Sequence, residues 1–147
     1  MIKVLFVCTG NTCRSPMAEY YFNSEFKNPE SIKAESCGLC ADGGRPMAKN
    51  AQTVLEMKGI YAKTEHISRQ IDEEMVRNAD FIYGITVYHE ASLKERFPKF
   101  ADKIKSLPED IGDPYGGSLE IYEKCFDGIK RSVDMIIETL TGENMRC

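Results

Sequence analysis

The chain has 147 residues, 42% hydrophobic and 29% charged, which is enough to bury a core without staples and excludes a disordered chain. Its net charge of -4, with no long basic run, argues against a nucleic-acid surface, although backbone amides can still build a small, deep anion site. Six cysteines would suit a secreted disulfide scaffold, but the first apolar run, Ile2 to Val7, is too short for a signal-peptide core or a membrane span. The sequence therefore predicts a cytoplasmic protein with mostly reduced thiols and no membrane partner.

Lys3 to Val7 is a short, nearly continuous apolar run and predicts a central parallel strand buried on both faces. It leads into Cys8-Thr9-Gly10-Asn11-Thr12-Cys13-Arg14 and then Ser15-Pro16, which predict an N-cap and first residue of a helix running to about Phe26. Ala18 stands where a capping box would need Glu. A second strand is predicted over Ile32 to Ser36. Gly43-Gly44-Arg45-Pro46 then turns the chain into a helix ending near Lys58-Gly59. A polar loop from about Thr64 to Gln70 precedes a short helix beginning near Asp72. Ala79 to Thr86 predicts a third strand, followed by a helix that stops before Pro98, and Ile104 to Leu107 a fourth strand. After the turn-rich stretch Pro108 to Ser118, apolar residues from Leu119 to Leu140 recur at three- and four-residue spacings and predict a long final helix. Strands alternating with helices predict one α/β domain, residues 1–147, with a small four-stranded parallel sheet and helices on both faces.

Cys8 to Arg14 is a cysteine, five residues and an arginine between a buried strand and a helix N-terminus. Successive backbone N–H groups can turn inward there around a tetrahedral oxyanion while the helix points its positive end at the same place. Gly10 tolerates backbone angles other residues resist, and Asn11 is the ordinary residue most tolerant of a left-handed one. The same field favours a thiolate nucleophile at Cys8. Arg14 offers a fixed fork of donors for two phosphoryl oxygens, and the Ser15 hydroxyl can donate to the sulfur as it leaves. A leaving group needs an acid, and Asp113 in Ile111-Gly112-Asp113-Pro114-Tyr115-Gly116-Gly117 is the candidate, with Asp110 the nearby alternative. Loops after the strand C-termini gather at one sheet edge, so this distant segment can reach the cysteine loop, with Tyr115 as an aromatic wall of the slot.

At these residues the chain resembles the low-molecular-weight protein phosphatase family. Val7 to Pro16 is similar to its phosphate-binding signature, Asp113-Pro114-Tyr115 to its general-acid motif, and the resemblance spans essentially the whole chain. It implies a phosphocysteine on Cys8, Arg14 as phosphoryl clamp, Ser15 stabilising the thiolate, and Asp113 as acid and then base. It also implies that Asn11 holds the loop through hydrogen bonds with Ser36 and His66. Cys13 would capture an oxidised Cys8 as a reversible disulfide. No metal or cofactor is implied; the partners would be phosphorylated proteins, with inorganic phosphate as product.

Where tyrosine-directed members of the family carry a bulky aliphatic residue, this chain has Thr12. The run Cys8 to Glu19 and the later run Asp113 to Tyr122 resemble the bacterial protein-arginine phosphatases. Phosphoarginine carries N–H donors beside the phosphorus that a Thr12 hydroxyl can accept and an aliphatic side chain would leave unpaired. The expected substrate is thus phosphoarginine first and phosphotyrosine second, with a protein-arginine kinase as functional counterpart in a stress response. An arsenate reductase would need a cysteine relay near the third strand, and residues 71–96 contain no cysteine. A non-catalytic phosphate sensor would be expected to lose Cys8 or Asp113. Cys37, Cys40, Cys125 and Cys147 read as packing or surface thiols, Cys37-x2-Cys40 lacks a second pair for zinc, and His89 reads as a surface residue.

Overall fold

The computed structural model describes residues 1–28, 30–60 and 65–141; Thr64, at the start of the predicted polar loop, and Cys147 lie outside them. Four strands form one parallel sheet: β1 (Ile2–Cys8), β2 (Ile32–Gly38), β3 (Phe81–Gly84) and β4 (Ile104–Ser106), in the order β2-β1-β3-β4. β1 is central and alternates its side chains between two apolar layers, which is why it reads as an unbroken apolar run. Val4 and Phe6 pack among the residues of α1 (Arg14–Ser24), α2 (Lys49–Met57) and α5 (Leu119–Thr141). Leu5 and Val7 pack toward α3 (Glu73–Asn78) and α4 (Val87–Arg96) on the other face. The expected sheet with helices on both faces is thus the fold observed.

The long α5 buries Tyr122, Phe126, Ile129, Val133, Ile136 and Ile137, the stripe its spacing predicts. α3 starts where Asp72 accepts the Met75 amide at 2.8 Å, an ordinary side-chain cap.

Several boundaries differ from the sequence reading. α1 begins at Arg14 with Cys13 in the cap position and no side-chain cap, and ends at Ser24, short of Phe26. Ser15 is not the cap, because its buried hydroxyl is turned to the cysteine loop instead. α2 starts at Lys49, after Pro46 has made an isolated antiparallel bridge to Ile67. β3 is shorter than Ala79 to Thr86, because Thr86 leaves the sheet to cap α4 by accepting the His89 amide at 3.3 Å. β2, in contrast, runs two residues past Ser36. Pro98 ends α4 as expected and opens a short 3-10 helix, Pro98–Lys103.

Candidate active site

The strand order reverses direction of winding around β1, so the crevice at its carboxyl end is where such a sheet places a ligand. There a cavity of about 240 Å³ is lined by Cys8 to Arg14, by Cys40, Asp42 and Arg45 from the segment after β2, and by Asp113 and Tyr115. A cavity of the same volume beside Lys3, Glu35, Asp72 and Glu74 sits toward the start of β1 and gathers no nucleophile.

The loop from Cys8 to Cys13 is held open by bonds behind it. Leu39 N donates to Cys8 O, Cys40 N to Thr9 O, Ala48 N to Thr12 O, each at 2.9 Å, and Met17 N to Cys13 O at 3.1 Å. His66 Nε2 donates to Asn11 O at 2.8 Å. With these carbonyls turned outward, the N–H groups remain for the concave side, as an oxyanion requires. β2 ends hard against the loop: a Cβ on Gly38 would lie 2.5 Å from Thr9 O, so only glycine fits that approach. Asn11 supplies the left-handed residue, with φ 58°, as its type suggests. Gly10 does not have a positive φ, and a Cβ there would meet only Thr12 Oγ1, at 3.9 Å; the conformational reason expected for it does not apply.

Behind the loop, buried hydrogen bonds run in one direction. Arg69 N donates to Asn11 Oδ1 at 2.9 Å, which fixes the amide so that Nδ2 faces Ser15 Oγ and Ser36 Oγ, both at 2.9 Å. Ser36 passes its hydrogen to Glu19 Oε1 at 2.6 Å. Ser15 Oγ, having accepted from Asn11, keeps one hydrogen to give. Cys8 Sγ lies at 2.9 Å and Cys37 O at 3.4 Å, so the sulfur is the nearer acceptor. Burial pushes Glu19 upward, against the Ser36 hydrogen bond, and pushes His66 downward. The 4.0 Å approach of His66 Nδ1 to Glu19 is therefore not a strong ion pair. The structure thus places Ser36 and His66 on Asn11, where the sequence reading expected them.

Arg14 is buried, and its Nη1 donates to Ile111 O at 3.0 Å while Nη2 lies 3.8 Å from Asp113 Oδ2. One arginine therefore lines the cavity and ties down the loop that carries the acid. Asp113 Oδ1 also accepts the Tyr115 amide at 3.0 Å, so the turn-capping role and the place at the cavity coexist. Asp110 does not line the cavity that holds Cys8; it lines a neighbouring one, which Asp113 also borders. Tyr115 stands at the rim, 76% exposed.

Two contacts escaped the sequence reading. His89 is buried, 2% exposed, rather than on the surface. Thr86 N donates to its Nδ1 at 3.2 Å, so in the neutral ring the hydrogen sits on Nε2, which donates to Thr9 Oγ1 at 3.0 Å. Thr-x-x-His read as a cap could have signalled it. Tyr122, counted as core, sets its hydroxyl 3.3 Å from Cys13 Sγ, and Thr12 Oγ1 is 3.7 Å from the same sulfur. No local pattern in the sequence marks that contact, because it joins residues 109 apart. Burial holds the Cys13 thiol above its ordinary value. Cys37 is buried in the opposite apolar layer and Cys40 is exposed at the cavity mouth. Cys125 is buried, which pushes its thiol up to about 12.

Comparison with known proteins agrees with this geometry. The profile of the family described as low molecular weight phosphotyrosine protein phosphatase matches residues 3–146. The protein-arginine-phosphatase of Geobacillus stearothermophilus is 36% identical over 96% of this chain and 97% of its own. The solved structure of the YwlE arginine phosphatase from that organism superposes with a TM-score of 0.88 at 35% identity, covering 95% of this chain and 93% of that one. The low molecular weight protein tyrosine phosphatase from T. tengcongensis superposes with a TM-score of 0.87 at 37% identity, covering 95% and 100%.

Proposed function

The chain belongs to the low molecular weight phosphotyrosine protein phosphatase family, and from that premise we propose that it hydrolyses phosphoarginine side chains of proteins through a phosphocysteine on Cys8. The observation that carries the substrate assignment is Thr12, a hydroxyl residue that lines the cavity with Cys8, Arg14 and Asp113. The similarity to proteins named arginine phosphatases supports it.

In the first step the Cys8 thiolate attacks phosphorus in line. The P–N bond breaks, its electron pair stays on the guanidino nitrogen, and Asp113 delivers a proton there. The loop amides and Arg14 hold the equatorial oxygens as charge spreads over them. In the second step Asp113 takes a proton from water, whose oxygen attacks phosphorus. The S–P bond breaks, inorganic phosphate forms, and the Ser15 hydroxyl receives the returning thiolate. Asn11, Ser36 and His66 keep the loop in shape. Thr9, Gly10, Asn11, Thr12, Cys13 and Ser15 complete the phosphate-binding loop, with Tyr115 as its outer aromatic wall.

The same site has a redox side. A peroxide oxidises the Cys8 thiolate to a sulfenic acid, Cys13 attacks that sulfur, water leaves, and a Cys8–Cys13 disulfide protects the nucleophile until a thiol reduces it. Among the described residues no helix is long and apolar enough to cross a membrane. A cytoplasmic enzyme opposing a protein-arginine kinase in a stress response fits this reading. Phosphotyrosine is the second substrate, favoured by the 37% identity to a structure named as a tyrosine phosphatase.

The test is phosphate release from a phosphoarginine peptide together with acid-quenched peptide mapping. The reading expects turnover in the wild type, a phosphoryl group on Cys8, and neither in Cys8→Ser. Release that survives Cys8→Ser, or a phosphoryl group on another residue, contradicts it.

A further inference from the structure

Tyr122 lies on α5 and is 3% exposed, and the one partner its hydroxyl has among the described residues is Cys13 Sγ at 3.3 Å. A phenol is a much stronger donor than a thiol, and a buried O–H left without an acceptor is costly, so the hydrogen of this pair belongs on the tyrosine and points at sulfur. The sulfur is thereby held in one place. Thr12 Oγ1 sits 3.7 Å from the same sulfur, and Thr12 lines the cavity.

Thr12 has one hydrogen and two lone pairs. To accept N–H donors from a phosphoguanidino group it must turn that hydrogen away from the substrate, and a hydroxyl turned toward nothing loses most of the gain. The sulfur of Cys13 is an acceptor already aimed and within reach. We propose that Cys13 and Tyr122 are positioning residues for specificity: Tyr122 fixes the Cys13 sulfur, the sulfur takes the Thr12 hydrogen, and Thr12 is left presenting lone pairs to the N–H groups of phosphoarginine. The inference rests on the phosphoarginine reading and extends it to two side chains that act on the substrate only through Thr12. It also gives Cys13 work under reducing conditions, separate from capture of an oxidised Cys8.

The experiment measures kcat/KM on matched phosphoarginine and phosphotyrosine peptides, with excess reductant, for wild type, Thr12→Ile, Cys13→Ala, Cys13→Ser and Tyr122→Phe. Thermal melting of each variant reports folding, and the phosphotyrosine rate serves as the internal control for it. Cys13→Ala and Tyr122→Phe are expected to lower the phosphoarginine to phosphotyrosine ratio about three- to tenfold, the weight of one neutral hydrogen bond. Cys13→Ser, which restores an acceptor, is expected to recover most of it. Equal losses on both substrates would make the contact purely structural and overturn the inference. A ratio that collapses in Thr12→Ile but is unmoved in Cys13→Ala and Tyr122→Phe overturns this inference alone. A wild type that does not favour phosphoarginine, or a Thr12→Ile ratio equal to wild type, overturns the substrate reading beneath it.

Discussion

The proposed reaction is divided between Cys8, a sulfur that is pinned, and Asp113, a carboxyl that is half exposed. Cys8 Sγ is met by Ser15 at 2.9 Å in the floor of the cavity, while Asp113 reaches it from a distant loop held by Arg14. An acid on a loop matters in proportion to how poor the leaving group is. Asp113→Asn is therefore expected to slow phosphoarginine or phosphotyrosine peptides by about 10²- to 10⁴-fold, and p-nitrophenyl phosphate, whose leaving group needs no proton, by far less. Steady-state rates on the three substrates check this. Thr12→Ile removes the acceptor proposed for the substrate N–H groups and is expected to cost phosphoarginine turnover roughly 1–3 kcal/mol, about 5- to 150-fold, with little effect on phosphotyrosine. At this scale the sequence was informative because the chemistry is local: cysteine, five residues and arginine are neighbours in the chain. His89 was misread as a surface residue and the contact of the buried Tyr122 hydroxyl with Cys13 went unforeseen, because the partners lie 80 and 109 residues away.

The elements behind the loop decide whether it keeps its shape. Asn11 joins the loop after β1 to β2, α1 and the segment before α3 through four hydrogen bonds while sitting in a left-handed conformation, so it is the point where their geometry meets. Its backbone carbonyl accepts one and its amide side chain makes the other three, and Ser15 passes the chain on to Cys8. Asn11→Ala is expected to lower stability by about 3 kcal/mol in urea unfolding and to reduce kcat with it. The start of α4 carries a pH signature. Burial, reinforced by the Arg14 charge and opposed by Asp113, pushes the His89 imidazole down to about 4 from 6.5. Between those values the unfolded chain binds a proton that the folded chain refuses. Stability from this residue is full above pH 6.5 and falls as the pH drops toward 4, by a total on the order of 3 kcal/mol. Urea midpoints compared at about pH 7 and about pH 5 should show that fall, and His89→Gln should flatten it. Element types were legible from periodicity and punctuation. The ends were not, since Ser15 could cap α1 or serve the loop, Thr86 could continue β3 or cap α4, and only packing decided.

For the whole molecule, topology brings the pieces together. With β1 at the centre of the sheet, the loop after it, the segment after β2 and the loop after β4 converge on one edge, although their residues span positions 8 to 115. Alternation of strands and helices announced that architecture, whereas the strand order that makes β1 central appears only in the pairing. The cavity is open at the rim, where Tyr115 is exposed, and this suits a side chain presented by another protein. The central claim, a cysteine phosphatase directed at phosphoarginine, is tested most directly by kcat/KM on two peptides of one sequence, one bearing phosphoarginine and the other phosphotyrosine, with Cys8→Ser as the blank. A clear preference for the phosphoarginine peptide, abolished in the blank, is the predicted result; a preference for phosphotyrosine would leave the mechanism standing and contradict the role given to Thr12.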